Sequence, residues 1–585
     1  MLGKGVLVLA QRDAKQAGRV WLAALVGGLL TLALGLWLQS HAWAGAGHEP
    51  APWKALGPYW LGFGVLWVVL TAGLWRVGRH LDRWRGLGSV AVVLLVALLA
   101  KGTVLATAEP VLSDDIYRYL HEGALLADGQ NPYGKKPSNI DAQQSPLPSA
   151  LEKVNHKHLG AIYQPAAQYV FATATHIHNQ ITATLGMVLD RTTTFRAVMV
   201  LFSLLIVVML AARLREAGRS PWWAALWGLH PLVISEVAGS GHQDVIGIAA
   251  LLAGLLLFER ANRRLSFAAG GSVALAIAVA VKPIAAPVAI PVAWWLRRWP
   301  RGLLMTAVVG CIAMVALYLP FVMMPRGIGL LPGSEGQMIN AAQRFADAWK
   351  FNGSLHPLVA DWLTPFGYNE VKWRALDWLE WGDAWVFGGA LQFLFADAVT
   401  TVCNNLARYV LGAVALLALG LSIWRSEDKL FRPMVVYFLV MMLTTSTLHP
   451  WYALWGLALL PLAFDTALWV LAGTVTLSYV AQHHPSDYEV PVALKLVEFV
   501  PVYALAALGF LTGLGVNRPG WLPGIKASHA VNKGHGGTRG AETKPTDETA
   551  QHDRPRGRAD STRDDLDQTA AALEAFERDE NDDGQ

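Results

Sequence analysis

Apolar runs of about 20 residues recur along this chain of 585 residues, and three of them cover residues 20–38, 89–108 and 303–323. A run of that length crosses the hydrocarbon of a bilayer when it forms a helix, which rises about 1.5 Å per residue. Hydrophobic residues make up 54% of the chain and charged residues only 15%, which is too apolar for a soluble protein of this size. The sequence therefore predicts an all-α polytopic membrane protein.

Clusters of arginine and lysine indicate how the runs are oriented. Arg12, Lys15 and Arg19 precede the first run, and further clusters follow alternate runs along the chain. Positive residues concentrate in cytoplasmic loops, so these clusters predict about fourteen crossings with both termini in the cytoplasm. One crossing is expected at residues 222–238. Residues 385–396 are apolar but short, and we interpret them as re-entrant or interfacial, because a crossing there would invert every later loop.

The same topology divides the chain into three parts. Residues 1–88 form an N-terminal transmembrane hairpin, and residues 89–526 form the main transmembrane region. Two long outer loops interrupt that region, at 109–194 and at 324–405, and we expect helices lying at the membrane interface in them. Residues 527–585 are rich in charged residues, Gly and Thr and have almost no large apolar residues, so a disordered cytoplasmic tail is predicted.

The first long polar segment reads EPVLSDDIYRYLHEGALLADGQNPYGKKP and directly follows a crossing. Ser113 is a good N-cap, and Asp114 and Asp115 then lie in the first turn of a helix, where carboxylates suit the positive end of the helix dipole. Arg118 and Glu122 follow one and two turns later on the same face. Two adjacent carboxylates beside an arginine make a candidate acid/base and anion site. A capped interfacial helix with solvated charges is the alternative.

Polar residues from distant parts of the chain share one predicted location, at the outer ends of crossings or in outer loops. They are Asp114, Asp115, Arg118, Gln164, His242, Asp244, Lys282, Asn352, His449 and Tyr452. Ionisable groups at membrane depth are costly and usually face a cavity or one another. We therefore expect one polar site on the non-cytoplasmic face, above apolar helices, which suits a lipid-linked phosphate.

Simpler interpretations exist for several of these residues. The segment from His449 to Tyr452 is also typical of an aromatic belt at a helix end, and His242 with Asp244 could cap a short loop. Lys282 joins two short apolar runs, where a lysine is hard to explain without a function. The paired aspartates could hold a divalent metal, but no third carboxylate lies at ligand spacing, so we expect neither metal nor cofactor.

Short motifs along the membrane region resemble those of a known family. They are LSDDIYRY at 112–119, NPY at 131–133, YQP at 163–165, HQD at 242–244, KP at 282–283, WKFN at 349–352 and HPWY at 449–452. Together they look like the motifs of bacterial GT-C glycosyltransferases, and most closely those of the polyprenyl-phosphate-mannose-dependent mannosyltransferases. The likeness covers most of the predicted membrane region.

This resemblance implies a GT-C-like bundle that transfers one sugar, with mannose favoured, from a polyprenyl-phosphate donor to a hydroxyl of a lipid- or glycan-linked acceptor. It implies inversion at the anomeric carbon on the periplasmic face of a bacterial cytoplasmic (inner) membrane, with Asp114 or Asp115 as the general base. Arg118 and Lys282 would hold the phosphate, because the leaving group needs cations to balance its charge. The other donor-binding residues would be Gln164, His242, Asp244, Asn352, His449 and Tyr452.

Two other classes of function remain open from the sequence. A transporter or flippase of a lipid-linked or anionic substrate would place charges near the bilayer midplane and show a repeat between its halves, and neither is visible. A membrane scaffold acting through the charged tail would leave the outer polar residues unexplained. No nucleotide-binding glycine loop is found in a soluble domain, which argues against a nucleotide-sugar donor. Besides substrates we expect membrane lipids as partners, and no nucleic acid.

Overall fold

The computed structural model describes residues 21–40, 52–81, 86–186, 189–261, 263–330, 335–363, 388–426, 428, 430–483 and 489–511. The predicted tail at 527–585 lies outside these residues. Within them the only strand-like pairing is a pair of isolated bridges that join Phe351 and Asn352 to Thr447.

The α-helices of this described part are, in chain order, α1 (Trp21–Ser40), α2 (Pro52–Leu81), α3 (Leu87–Thr107), α4 (Asp115–Ala127), α5 (Pro148–Lys153), α6 (Pro165–Leu185), α7 (Arg191–Glu216), α8 (Ala225–Gly228), α9 (Pro231–Val233), α10 (Asp244–Arg260), α11 (Leu265–Val279), α12 (Ala289–Leu296), α13 (Pro300–Met323), α14 (Met338–Ala348), α15 (355–363), α16 (Gly388–Arg425), α17 (Phe431–Thr444), α18 (Ala453–Leu457), α19 (Thr466–Thr474) and α20 (Val492–Leu511). Short 3₁₀ helices cover Pro137–Asn139, Ala142–Gln144, Pro221–Ala224, Pro283–Val288, Pro450–Tyr452 and Val475–His483, and a π-helix covers Ile234–Gly239.

Seven of these helices are long and apolar enough to cross a membrane, namely α1, α2, α3, α7, α13, α16 and α20. The prediction of an all-α polytopic membrane protein is therefore confirmed. Shorter apolar segments accompany them at Leu265–Val279, Pro283–Leu296, Phe431–Thr444 and Thr466–Ala481. The expected number of about fourteen crossings stays a prediction, since the short segments do not reach the length of a full span.

The stretch at 222–238, where a crossing is expected, is not one continuous helix, and the crossing itself stays a prediction. A 3₁₀ turn and α8 lead to His230, which has extended backbone angles, and α9 and the π-helix follow Pro231. Proline has no N–H to donate and disfavours the helical conformation of the residue before it. Hydropathy along this stretch is high enough for a span, but Pro231 divides it.

Residues 385–396, interpreted as re-entrant or interfacial, do not form a separate segment as far as they are described. From Gly388 onward the chain belongs to α16, one helix of 38 residues that ends at Arg425. No proline or glycine interrupts the sequence between Gly389 and Gly412, so nothing ends the helix before the next crossing begins. A separate re-entrant turn is therefore absent from the residues described here, while an interfacial position for the part of α16 before Val402 stays a prediction.

Two buried basic side chains donate hydrogen bonds to backbone carbonyls that the broken helices leave without intrahelical partners. The Lys101 ammonium donates to the carbonyl of Gly228 at 2.5 Å. The Arg196 guanidinium donates to the carbonyl of Ala108, at the end of α3, at 2.6 Å, and to that of Ala238 at 3.3 Å. Irregular backbone at membrane depth is tolerated only where such partners are supplied within the protein. Lys101 and Arg196 thus hold the ends of helices inside the protein.

A close crossing holds α4 against α6. A Cβ atom on Gly123 would lie 2.6 Å from backbone atoms of Phe171, so no larger residue fits there without moving a helix. The Tyr133 hydroxyl, just beyond α4, donates to the carbonyl of Tyr163 at 2.6 Å. These two contacts place the segment around Tyr163 beside the first turn of α4.

Backbone pairing brings part of the second outer loop to the turn at Pro450–Tyr452. The Leu448 amide donates to the carbonyl of Phe351 at 2.8 Å, and the Thr447 hydroxyl donates to the carbonyl of Trp349 at 2.9 Å. Segments that are about a hundred residues apart in the sequence therefore meet at one place. Trp349 and Phe351 lie beside the turn that carries His449 and Tyr452.

Candidate functional site

A cavity of about 460 Å³, here called the acid cavity, opens between the start of α4, the segment at 155–164, α14 and the turn at Pro450–Tyr452. Its volume lies within the range of roughly 300–1,000 Å³ that ligand pockets occupy. Eight of the ten predicted site residues line it, namely Asp114, Asp115, Arg118, Gln164, Asp244, Lys282, His449 and Tyr452. The fold thus brings side chains from distant segments into one space, while the role of each remains a prediction.

His242 and Asn352 do not line the acid cavity, although both were predicted to bind the donor. The His242 imidazole is fully buried, its Nδ1 lies 3.3 Å from the Tyr119 hydroxyl, and its ring stacks on that of Trp451 at 3.8 Å. The Asn352 amide is buried and donates to the Glu498 carboxylate at 2.9 Å. Neither side chain lines the cavity in this structure, and their part in donor binding stays a prediction.

The acid pair lies at the start of α4. The helix begins at Asp115 with Asp114 as its N-cap, one residue later than the predicted cap at Ser113. The Ser113 hydroxyl accepts a hydrogen bond from the Asp115 amide at 3.3 Å, as a residue just before the helix can. Asp114 is exposed, whereas Asp115 is half-buried and lies one position further into the helix. The two carboxylates therefore face different surroundings.

Asn155 joins the two acids, and sequence reasoning missed it. Its Nδ2 donates to Asp114 Oδ1 at 2.7 Å and to Asp115 Oδ1 at 2.9 Å. Its Oδ1 accepts from the Nε of Arg118 at 3.3 Å, which fixes the amide with its nitrogen towards the acids. Asn155 lies 40 residues beyond Asp115 in an irregular polar loop. No spacing in that loop distinguishes it from the other polar residues.

Arg118, which the sequence predicts to hold the phosphate, lines the acid cavity and also donates to groups of the protein. Its guanidinium donates to the backbone carbonyls of Asn155 at 2.5 Å and His156 at 3.0 Å, and it lies 3.6 Å from the Glu122 carboxylate. Only 4% of the residue is exposed. Most of its donors thus hold the 155–159 loop against α4, and its role in binding the phosphate stays a prediction.

The surroundings of Asp115 favour a carboxylate that can take up a proton. Burial raises the pKa of Asp115, and the neighbouring charge of Asp114 raises it further. The hydrogen bond from Asn155 and the charge of Arg118 act in the opposite direction. A general base works best when its pKa approaches the pH of the reaction.

Among the described residues no three His, Cys, Asp or Glu side chains form a group that could hold a metal ion.

Lys282 supplies a positive charge to the acid cavity. Its ammonium lies 2.7 Å from Asp244 Oδ1 and 3.7 Å above the centre of the Tyr452 ring, a cation–π contact. The same carboxylate oxygen accepts a hydrogen bond from the Trp455 indole at 2.6 Å, which holds the Asp244 side chain in place. The Lys282 side chain keeps 20% of its surface exposed. It is therefore both held in place and accessible to an anion.

Aromatic rings complete the wall near Lys282. The His449 ring stacks between those of Phe351, at 4.5 Å, and Trp451, at 4.4 Å. Burial, and next the charge of Lys282, lowers the pKa of His449 to about 3, so the imidazole is neutral at pH 7. It can offer one N–H donor but no charge. Gln164 accepts from the Tyr318 hydroxyl at 2.8 Å and lies in the wall as well.

Comparison with known proteins places this cavity in context. Residues 17–298 match the family described as alpha-(1->6)-mannopyranosyltransferase, N-terminal domain. The resemblance to mannosyltransferases is thereby confirmed for this part of the chain. The matched residues include the acid pair and Lys282, while the turn at Pro450–Tyr452 lies beyond them.

Two curated relatives carry the name alpha-(1->6)-mannopyranosyltransferase A. The chain is 27% identical over 226 residues to the one from Mycobacterium tuberculosis, a region that is 36% of this chain and 40% of the relative. It is 28% identical over 223 residues to the one from Corynebacterium glutamicum, which is 35% of this chain and 43% of the relative. The chain thus spans about two fifths of the length of these curated relatives. No solved structure matches it.

Proposed function

We propose that the protein is a membrane glycosyltransferase that transfers mannose from a polyprenyl-phosphate donor to a hydroxyl of a lipid- or glycan-linked acceptor. The observation that carries this proposal is the presence of an acid pair and an accessible lysine in one cavity. The alpha-(1->6)-mannopyranosyltransferase family match supports mannose as the sugar. In this proposal the cavity faces the periplasm, the membrane is the bacterial cytoplasmic membrane, and both termini lie in the cytoplasm, as the arginine clusters predict.

Asp115 is the general base in this proposal. Its carboxylate removes the proton of the acceptor hydroxyl as that oxygen forms a bond to the anomeric carbon of mannose. The bond from the anomeric carbon to the phosphate oxygen breaks, and the polyprenyl phosphate leaves with the electron pair. Attack from the face opposite the phosphate inverts the anomeric configuration. Asp115 is favoured over Asp114 because it is half-buried and because burial raises its pKa.

Lys282 stabilises the phosphate as negative charge develops on the departing oxygen. Asp244 and the Tyr452 ring hold the ammonium in place, so no reorganisation is needed when the charge appears. Apolar side chains beside it, including Val281, Pro283 and Phe345, line the same cavity. They suit the isoprenoid carbons next to the phosphate of a lipid donor.

The test uses the full-length protein in detergent with a short-chain polyprenyl-phosphate-[³H]mannose and a membrane lipid extract. We expect Asp115→Asn to lower the rate of transfer about 10²- to 10⁴-fold, the range for loss of a general base. Asp128→Asn is the matched control, because Asp128 caps the other end of α4 and does not line the cavity. Donor binding, measured separately, should survive in both variants.

Two results would overturn the proposal. If Asp115→Asn keeps full activity, Asp115 is not the general base. If Asp114→Asn also keeps full activity, neither aspartate is the general base. A wild-type protein that binds the donor but transfers no mannose to any acceptor in the extract would favour the transporter or flippase.

A further inference from the structure

A glutamate and a histidine form a buried pair behind the wall of the acid cavity. Glu236 and His242 are both fully buried, and neither lines the cavity. Glu236 Oε2 lies 3.2 Å from His242 Nε2, and neither atom has another partner among the described residues. Two lone pairs that face each other repel unless a proton lies between them. One proton must therefore be shared by this pair.

The local backbone sets this contact. Glu236 belongs to the π-helix Ile234–Gly239, an irregularity that is frequent at functional sites. Gly241 follows with φ of 75°, a conformation that glycine adopts without strain, and it turns the chain back. The His242 amide then donates to the carbonyl of Glu236 at 2.9 Å. The two residues are thus held together by their backbones as well as by their side chains.

No lysine or arginine forms an ion pair with Glu236 in the part of the chain that the structure describes. Arg196 of α7 donates to carbonyls of the π-helix, those of Ala238 and Gly239. Glu236 Oε1 instead accepts a hydrogen bond from the Tyr479 hydroxyl. An isolated buried carboxylate is costly, and such a group usually takes up a proton. The shared proton is therefore expected on Glu236.

The charges around the pair favour the same assignment. The charge of Asp244 acts on Glu236 and disfavours a second carboxylate, while that of Lys282 acts on His242 and disfavours an imidazolium. A neutral His242 that accepts at Nε2 carries its own proton on Nδ1, and can donate it to the Tyr119 hydroxyl oxygen 3.3 Å away. The other titratable groups near the pair are Tyr59, His449 and Tyr479.

The same direction continues to the proposed base. A Tyr119 hydroxyl that accepts from His242 has its own proton free for Tyr163, to which it is hydrogen-bonded. Tyr163 in turn forms a hydrogen bond with Asp115, which can only accept when it is ionised. Both tyrosines line the acid cavity. Each hydrogen bond in this line thus points away from Glu236 and towards Asp115.

We propose that Glu236 is a positioning residue, which carries a proton and directs a line of hydrogen bonds onto the Asp115 carboxylate. The line runs through His242, Tyr119 and Tyr163. Its last hydrogen bond stabilises the ionised form of the base. An ionised Glu236 would reverse the line, because His242 would donate to it from Nε2 and accept from Tyr119 at Nδ1. The inference rests on the proposed function, since Asp115 must be the base.

Infrared difference spectroscopy of the full-length protein in detergent at pH 7 tests the proton without any transfer of mannose. The spectrum of the wild type minus that of Glu236→Gln should contain the C=O stretch of a protonated carboxylic acid. Glu152→Gln is the matched control, because Glu152 is exposed in the outer loop and its difference spectrum should contain carboxylate bands. Carboxylate bands for Glu236→Gln as well would overturn the proposal.

The acidic limb of kcat/KM for mannose transfer tests the direction of the line. Glu236→Gln keeps a donor for His242 and an acceptor for Tyr479, so the limb should stay near its wild-type pH. Glu236→Leu removes the donor and should move the limb to higher pH by roughly 0.5–1 unit, as for the loss of one hydrogen bond. Tyr119→Phe interrupts the line without altering Glu236, and should move the limb in the same direction.

Three kinetic outcomes are decisive. A limb that stays in place in both Glu236→Leu and Tyr119→Phe would overturn the proposal. A limb that moves as far in Glu236→Gln as in Glu236→Leu would overturn it too, because a negative charge and not a proton would then be required. A wild type that shows the protonated-acid band but transfers no mannose would overturn the proposed function and leave the proton on Glu236 established.

Discussion

At the scale of single residues, the amide of Asn155 opposes the rise that burial and Asp114 cause in the pKa of the proposed base, Asp115. It donates to both acids, and its hydrogen bond lowers the pKa of Asp115 against the effect of burial. Because a base must be deprotonated to act, activity is lost as the pH falls through its pKa. Any change that raises this pKa therefore moves the acidic limb of the pH–rate profile to higher pH.

Asn155→Ala should produce that shift. Without the amide donor the Asp115 carboxylate loses stabilisation, so we expect the acidic limb of kcat/KM for mannose transfer to move to higher pH, with a lower rate at neutral pH. A profile of kcat/KM against pH measures it directly. Asn139→Ala, at an exposed position of the same outer loop, should leave the limb unchanged. A variant that is slower at every pH by the same factor would show that Asn155 has only a structural role.

Sequence reasoning identified most of the residues that meet in the acid cavity, but not the contacts that each of them makes. The acids and Lys282 could be predicted, together with the aromatic groups around them, because ionisable residues at the ends of membrane crossings rarely occur without partners. The contacts of Arg118 with loop carbonyls could not, since a guanidinium binds a carbonyl as readily as a phosphate. The burial of His242 depends on Tyr119 and Trp451, which approach it from other segments. Only the three-dimensional arrangement distinguishes such a residue from a ligand.

At the scale of helices, Arg196 acts as a shared cap inside the protein. Its guanidinium reaches the end of α3 and the π-helix together, and it is 1% exposed. A buried carbonyl that loses its donor costs about 1–3 kcal/mol. Stability of the bundle should therefore depend on this side chain even though it does not line the acid cavity.

Arg196→Met should lower the midpoint of thermal unfolding in detergent, because the carbonyls of Ala108 and Ala238 lose a donor. Arg196→Lys keeps a cationic donor, so its midpoint of thermal unfolding should lie between those of Arg196→Met and the wild type. Arg215→Met provides the control, since Arg215 is exposed on the same helix. An Arg196→Met protein as stable as the wild type would mean that water or other groups satisfy these carbonyls.

Helix boundaries were predicted well where apolar length decided them and poorly where local backbone chemistry did. The run at 89–108 corresponds closely to α3, whose ends are set by the change from apolar to polar residues. At Pro231 the hydropathy stays high while the backbone loses a donor, so a hydropathy pattern misses the break. In α16 the hydropathy falls at the polar residues near Asn404, but the backbone is not interrupted there and the helix continues.

At the scale of the whole molecule, the orientation in the membrane is testable with single cysteines. In a background of Cys311→Ser and Cys403→Ser, Gln130→Cys lies in the exposed loop after α4, and Arg215→Cys lies at the end of α7. We expect a membrane-impermeant maleimide to label Gln130→Cys in intact spheroplasts and Arg215→Cys only after permeabilisation, because the arginines at the end of α7 predict that this end faces the cytoplasm. The opposite pattern would place the acid cavity on the cytoplasmic face.

Every residue from 219 to 249 is buried, and this has a consequence for insertion into the membrane. A translocon releases a segment sideways into lipid when that segment is apolar and regular, as α3 and α7 are. The stretch around Pro231 would expose broken backbone and the Glu236 carboxylate to lipid if it were released alone. It can leave the translocon only where earlier helices already offer their protein surfaces. Synthesis from the N-terminus delivers α3 and α7 first, so the order of the chain is also an order of assembly.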